Sequence, residues 1–277
     1  MTQSRDIESQ QGETGLFLLF PRGGRPDRAS IYRFVAAHPG ISISLDPSLR
    51  PSLRLIGGIE AHSEGAASGA MAATKDCNWL ELLRDGLTFD LAGLTLGEPL
   101  ATPEVEYRFD SRDDLSLARF EALCLSPGAH LAGGEASLPV LRGMLRLARE
   151  LVQHFEQIEA VAWSPAHSII GRRFFESSTT AWLDGGAFPA LGLTSFRETI
   201  DGGLQSVGLD FLIGQELRIE PSLASDKVAA TRLGIRLINQ LVLAGPVARA
   251  EQIIGPSGQP LQLEPSANGK FIRVWGN

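Results

Sequence analysis

The chain reads as an α+β protein, and three observations predict it. An apolar strand candidate, Phe120–Leu125, is followed by an amphipathic helix from about Ser137 to Ile158 and then by a second apolar strand, Ala160–Trp163. A β-rich segment, Leu204–Ile219, closes that stretch. Residues 16 to 110 run through a similar order: strand, helix, strand, strand, helix, strand. The order is that of a split β-α-β unit, so two ferredoxin-like lobes are expected, with long helices packed on mixed or antiparallel sheets. The expected division is a disordered leader at 1–14, an N-terminal lobe at 15–110 and a C-terminal lobe at 118–277, joined through the charged run Asp110–Asp114.

In the first lobe, Leu16–Phe20 is a continuous apolar run ended by Pro21, which favours a buried strand. Asp27 can cap a short helix carrying Ile31, Phe34 and Val35, which stops before Pro39-Gly40. Ile41–Leu45 alternates and reads as a half-exposed strand, with Ser52–Ile59 as its hairpin partner. The small, polar residues 61–75 read as a loop, with a lid as the alternative. A helix is expected near Asn78–Arg84, and extended chain at Leu87–Leu96 and Val105–Phe109.

In the second lobe, Ser137 can cap the long helix and Pro139 suits its first turn. Leu138, Leu141, Leu145, Ala148, Val152 and Phe155 recur at steps of three and four, a stripe that packs on a sheet. The strands at 120–125 and 160–163 are expected to be parallel neighbours. Residues 167–175 read as a short helix, and 191–199 and 204–219 as antiparallel strands turned at Asp201-Gly202-Gly203. A further helix starts near Ser225-Asp226 and ends before Gly245-Pro246, followed by strands at Val247–Ile254 and Phe271–Trp275.

Over roughly residues 120–255 the chain resembles the core of an uncharacterised bacterial domain family. The residues that carry the resemblance are Ala160–Trp163, Gly208-Leu209, Gly214-Gln215-Glu216-Leu217 and the helix end Leu241–Gly245. The resemblance implies a fold and no particular chemistry.

Hydrophobic residues make up 43% and charged residues 21%, ordinary for a globular protein able to bury a core without disulfides or metals. A net charge of −7 argues against a nucleic-acid or anionic-membrane partner. No apolar run is long enough for a membrane span, and Met1–Glu13 lacks the apolar centre of a signal peptide. Cys77 and Cys124 lie far apart and read as reduced thiols of a cytoplasmic, bacterial protein.

No nucleophile elbow, phosphate loop, dinucleotide fingerprint or Cys-x-x-Cys occurs, so no cofactor is expected. The five histidines lack metal-ligand spacing, so no metal is expected either. The residues with chemistry left to explain are His130, Gly133 and Gly134 after one strand, and Trp163, His167, Arg172 and Arg173 after the next, with Glu216 able to approach. Parallel neighbours would bring these segments to one sheet edge, where a helix start and paired arginines could hold a small anion or carboxylate. The leading expectation is a non-catalytic binding or interaction protein with a small anion or a protein as partner. The alternative is a small-molecule enzyme using the same anion- or carboxylate-binding edge, or a cleft between the lobes.

Overall fold

The computed structural model describes residues 14–49, 78–111, 116–255 and 258–276. Among these residues the fold is α+β, with an eight-stranded and a six-stranded sheet, both mixed. The first sheet runs in the order β2 (Ile41–Leu45), β3 (Trp79–Arg84), β4 (Leu87–Ala92), β6 (Phe120–Pro127), β1 (Leu16–Pro21), β7 (Ala160–Trp163), β8 (Ser168–Gly171), β5 (Tyr107–Phe109). The second runs β12 (Glu251–Ile254), β13 (Pro260–Pro265), β14 (Phe271–Gly276), β11 (Glu216–Ile219), β10 (Leu204–Val207), β9 (Ser195–Glu198).

The continuous apolar run of β1 is explained by burial on both sides. Leu16, Leu18 and Phe20 enter the main core, while Phe17 and Leu19 enter a smaller core on the opposite face with Ala122, Cys124 and Ala162. A strand buried on both faces needs no polar alternation. Cys124 is free and buried there; Cys77 lies outside the described residues.

Helix α1 (Arg28–Ala37) starts where Asp27 accepts a hydrogen bond from the Ser30 backbone N–H at 2.8 Å. Helix α2 (Leu138–His154) lays Leu141, Met144, Leu145, Ala148, Leu151 and Val152 on the first sheet. Ser137 stands at its N-cap position and Pro139 in its first turn, but the Ser137 hydroxyl makes no capping bond. Helix α3 (Arg172–Leu183) packs against α2. Helix α4 (Leu209–Ile213) is a short piece between β10 and β11. Helix α5 (Lys227–Ala244), capped by Asp226 at the Val228 and Ala229 N–H groups, buries Leu233, Leu237, Ile238 and Leu241 against the second sheet. One main core joins the sheets, holding Leu123 and Val161 of the first with Leu217, Ile272 and Val274 of the second.

Several expectations are corrected by this topology. β6 and β7 are parallel but not neighbours, because β1 lies between them, antiparallel to both. The first sheet crosses the expected boundary at 110–118, since β1 and β4 pair with β6 and β5 pairs with β8. The two sheets therefore do not follow the two expected lobes. Residues 79–84 are a strand, not a helix: Leu80 and Leu82 reach the core while Glu81 lies opposite Asp90 across the β3–β4 pair. Residues 168–171 are a strand, and the helix expected at 167–175 starts only at Arg172. The partner of β2 is β3. The expected leader before Thr14, the strand at 52–59 and the loop at 61–75 lie outside the described residues.

Candidate functional site

The topology separates the residues expected to converge. Leu16 pairs with both Leu125 and Trp163, so β6 and β7 end level with each other, and the segment carrying His130 leaves the same edge as the turn ending at His167. β8 then runs back, with Gly171 opposite Ala160, and puts Arg172 and Arg173 at the other edge. There Arg172 donates to the carbonyl oxygens of Val152 (2.6 Å), Phe155 (3.1 Å), Glu156 (2.7 Å) and Ile158 (3.2 Å). Its guanidinium satisfies the carbonyl groups that the end of α2 leaves unpaired, a structural duty rather than a ligand site. Arg173 is exposed.

His130 is exposed in a turn whose Gly133 has φ +82° and whose Gly134 N–H donates to the Leu131 carbonyl at 2.9 Å. The cleft beside this turn, about 510 Å³, is lined by Asp90, Ser126, Gly128, Glu135 and Phe211. Its chemistry is acidic. Asp90 is raised to about 6, first by burial and then by Glu81 across the strand pair, while His130 lowers it. An anion would meet like charge here, so this edge is not the anion site expected from the sequence.

Trp163 is core, with its ring 5.3 Å from Phe211 in an edge-to-face contact. Phe211 belongs to α4, and α4 leads to Glu216. The turn between β7 and β8 packs on the start of α4: a Cβ at Gly208 would lie 2.8 Å from the Ala166 Cα, and Ser195 Oγ donates to the Ala166 carbonyl at 3.0 Å. Gly208 (φ +89°) is therefore required both by its conformation and by this approach. His167 follows Ala166 with φ +46° and is half-buried. Of the expected residues, Trp163, His167 and Glu216 thus belong to one region; His130, Gly133 and Gly134 flank the acidic cleft, and Arg172 and Arg173 lie at the far edge.

Glu216 stands in a second cleft, of about 420 Å³, on the second sheet. Arg197, Gln205, Ser206, Asp210, Lys270 and Glu216 line it with polar groups. The β9–β10 hairpin sets Arg197 directly opposite Gln205, and its turn is fixed by Thr199 Oγ1 donating to Asp201 at 2.6 Å. Gly208 and Gly214, both at positive φ, bracket α4 and hold Asp210 beside β11. Buried Gln215 bonds the Val247 and Gly269 carbonyls at 3.2 and 3.0 Å, and the Glu216 N–H donates to the Lys270 carbonyl at 2.9 Å. Those bonds bring Lys270 to the cleft.

Glu216 is only 9% exposed. Gly208 N–H donates to its Oε1 at 2.7 Å and Ser206 Oγ donates to its Oε2, while Ser206 Oγ accepts from the Leu217 N–H at 2.7 Å. Burial first, and then contact with Asp210, push the Glu216 carboxyl up to about 7 against the lowering effect of Ser206 and Gly208. Tyr107 of β5 feels the charges of Arg197 and Glu216, and its own hydroxyl is raised first by burial and then by Glu106. Ser206 is committed to these bonds and fully buried, so it offers no free nucleophile. The arrangement can bind charged groups of both signs and can give or take a proton near pH 7 at Glu216.

Among the described residues, no three His, Cys, Asp or Glu side chains gather to hold a metal ion. Among the same residues, no helix is long and apolar enough to cross a membrane. The chain matches no protein family, no curated protein and no solved structure. What defines its class is an α+β fold carrying a bipolar, open cleft on the second sheet.

Proposed function

We propose that this is a non-catalytic binding protein that captures a small carboxylate-bearing molecule in the Arg197–Lys270 cleft. The observation that carries the reading is the Gln205 side chain. Gln205 lines the cleft, and its amide, open to that space, makes no hydrogen bond to a described residue. An amide that faces the cleft and is not committed to the protein can donate to and accept from a polar ligand. Arg197, directly across the hairpin, and Lys270 form no ion pair with a described residue and supply the positive charge.

A second reading, a small-molecule enzyme, is favoured by the Glu216 carboxyl held at about 7, where a general acid or base works best. The binding reading is preferred because Ser206, the hydroxyl beside that carboxyl, is committed to Glu216 and the Leu217 N–H.

Thermal melts with phosphate, sulfate and a panel of small mono- and dicarboxylates test the proposal. At least one carboxylate should raise the Tm of the native protein. The Arg197→Ala/Lys270→Ala variant should lose that gain with its ligand-free Tm unchanged, since both side chains are exposed. If no carboxylate stabilises the protein, or the double variant responds equally, the reading fails.

A further inference from the structure

We infer that the molecule taken by this cleft is a small zwitterion of the amino-acid class, its carboxylate held by Arg197 and Lys270 and its ammonium by Asp210 and Glu216. The inference rests on the carboxylate-binding reading above and specifies its ligand. Three features point past a plain carboxylate. First, the cleft lining is balanced rather than basic: two cations and two carboxyl groups face the same space of about 420 Å³. A simple anion would gain from Arg197 and Lys270 but would be opposed by Asp210, while a simple cation would meet the reverse. A molecule carrying both charges a few bonds apart meets neither penalty.

Second, Gln205 offers the uncharged pole. Its amide faces the cleft with both a donor and an acceptor uncommitted to described residues, so it can serve either end of such a ligand. Third, Glu216 is held rigidly by Ser206 and the Gly208 N–H, so its position does not depend on the ligand. The charged and titratable groups around it come from four elements: Asp210 on α4, Arg197 on β9, Lys270 ahead of β14 and Tyr107 on β5. An ammonium placed between Asp210 and Glu216 would favour the ionised carboxyl, so binding should expel the proton that Glu216 retains near pH 7. A plain carboxylate would not expel it.

The experiment is calorimetric titration of the full chain at pH 7 in two buffers of different ionisation enthalpy. The probes are individual L-amino acids, each paired with its deaminated counterpart, such as alanine with propionate and glutamate with glutarate. The expected result is an amino acid that binds at least about tenfold more tightly than its counterpart. Its binding should release up to about half a proton, the share Glu216 holds at pH 7, and the release should vanish in Glu216→Gln. A deaminated acid that binds as tightly, or a zwitterion that binds without proton release, overturns the inference while the carboxylate-site reading stands. If neither member of any pair binds, both fail.

Discussion

Replacing Glu216 by Gln removes one charge from a buried position and leaves the shape of the side chain. The carboxyl titrates at about 7 in the folded protein against 4.5 in its ordinary setting, because burial outweighs the hydrogen bonds from Ser206 and Gly208, with Asp210 adding to the rise. The sign follows from which state binds the proton. Below 4.5 both folded and unfolded chains are protonated and no penalty exists. Between 4.5 and about 7 the unfolded chain gives up its proton first, so stability falls as pH rises; above about 7 the loss is complete and constant. At roughly 1.4 kcal/mol per pH unit, the loss amounts to about 3 kcal/mol. Gln keeps an oxygen for the Gly208 N–H but not the acceptor for Ser206 Oγ, which costs about 1 kcal/mol. Glu216→Gln should therefore be about 1 kcal/mol less stable than the native protein near pH 4.5 and about 2 kcal/mol more stable at pH 8. The gain at pH 8 corresponds to a Tm rise of about 4–8 °C for a chain of this size. Urea melts of both proteins from pH 4.5 to 8 read the difference directly. A stability gap that stays constant across that range would refute the reasoning, because an exposed or already ionised Glu216 predicts no pH dependence.

The remaining predictions address other parts of the fold. Asp90→Asn should follow the same sign in a lower window, gaining about 1–2 kcal/mol as pH rises from 3.8 through about 6, read by the same melts; no gain above pH 6 would contradict the burial of Asp90 opposite Glu81. Gly208→Ala and Gly214→Ala share a positive φ, but only Gly208 faces the Ala166 backbone, so it should lose at least about 2 kcal/mol more in thermal melts. Equal losses would show that the turn after β7 does not pack on α4. Arg172→Ala should cost about 2–4 kcal/mol by uncapping α2, whereas Arg173→Ala should stay within about 0.5 kcal/mol; similar effects of the two would undo the structural reading of Arg172.

The elements legible in the sequence were those whose signal is local. Helix α5 starts at the Asp226 cap and carries its stripe of Leu233, Leu237, Ile238 and Leu241, all within one turn or two of each other. Helix α2 is read the same way, and β1 announces itself by five apolar residues before Pro21. β3 misleads because Trp79, Leu82 and Leu83 also fit a helical spacing. What makes it a strand is pairing with β2 and β4, and the β4 partner across from Glu81 is another acid. The insertion of β1 between β6 and β7 is likewise a long-range choice. No periodicity within β6, α2 or β7 records that a strand from the chain's beginning separates them.

The site follows the same division between local and distant signals. Glu216 was marked by sequence, but as a visitor to a cluster of arginines that the fold sends elsewhere. Arg197 and Gln205 were missed although a signal existed. Once Asp201-Gly202-Gly203 is accepted as the hairpin turn, counting back along both strands puts Arg197 opposite Gln205, a cation beside an amide on one sheet face. Asp210 could have been placed by reading Gly208 and Gly214 as the two ends of a short excursion from β10 to β11. Lys270 had no such signal. It reaches the cleft only because β14 pairs in parallel with β11, Glu216 beside Phe271, and because buried Gln215 fastens the Gly269 turn in place. Parallel pairing between segments so far apart leaves no mark on either segment's composition, so the positive charge most distant in sequence was also the one that only the structure could supply.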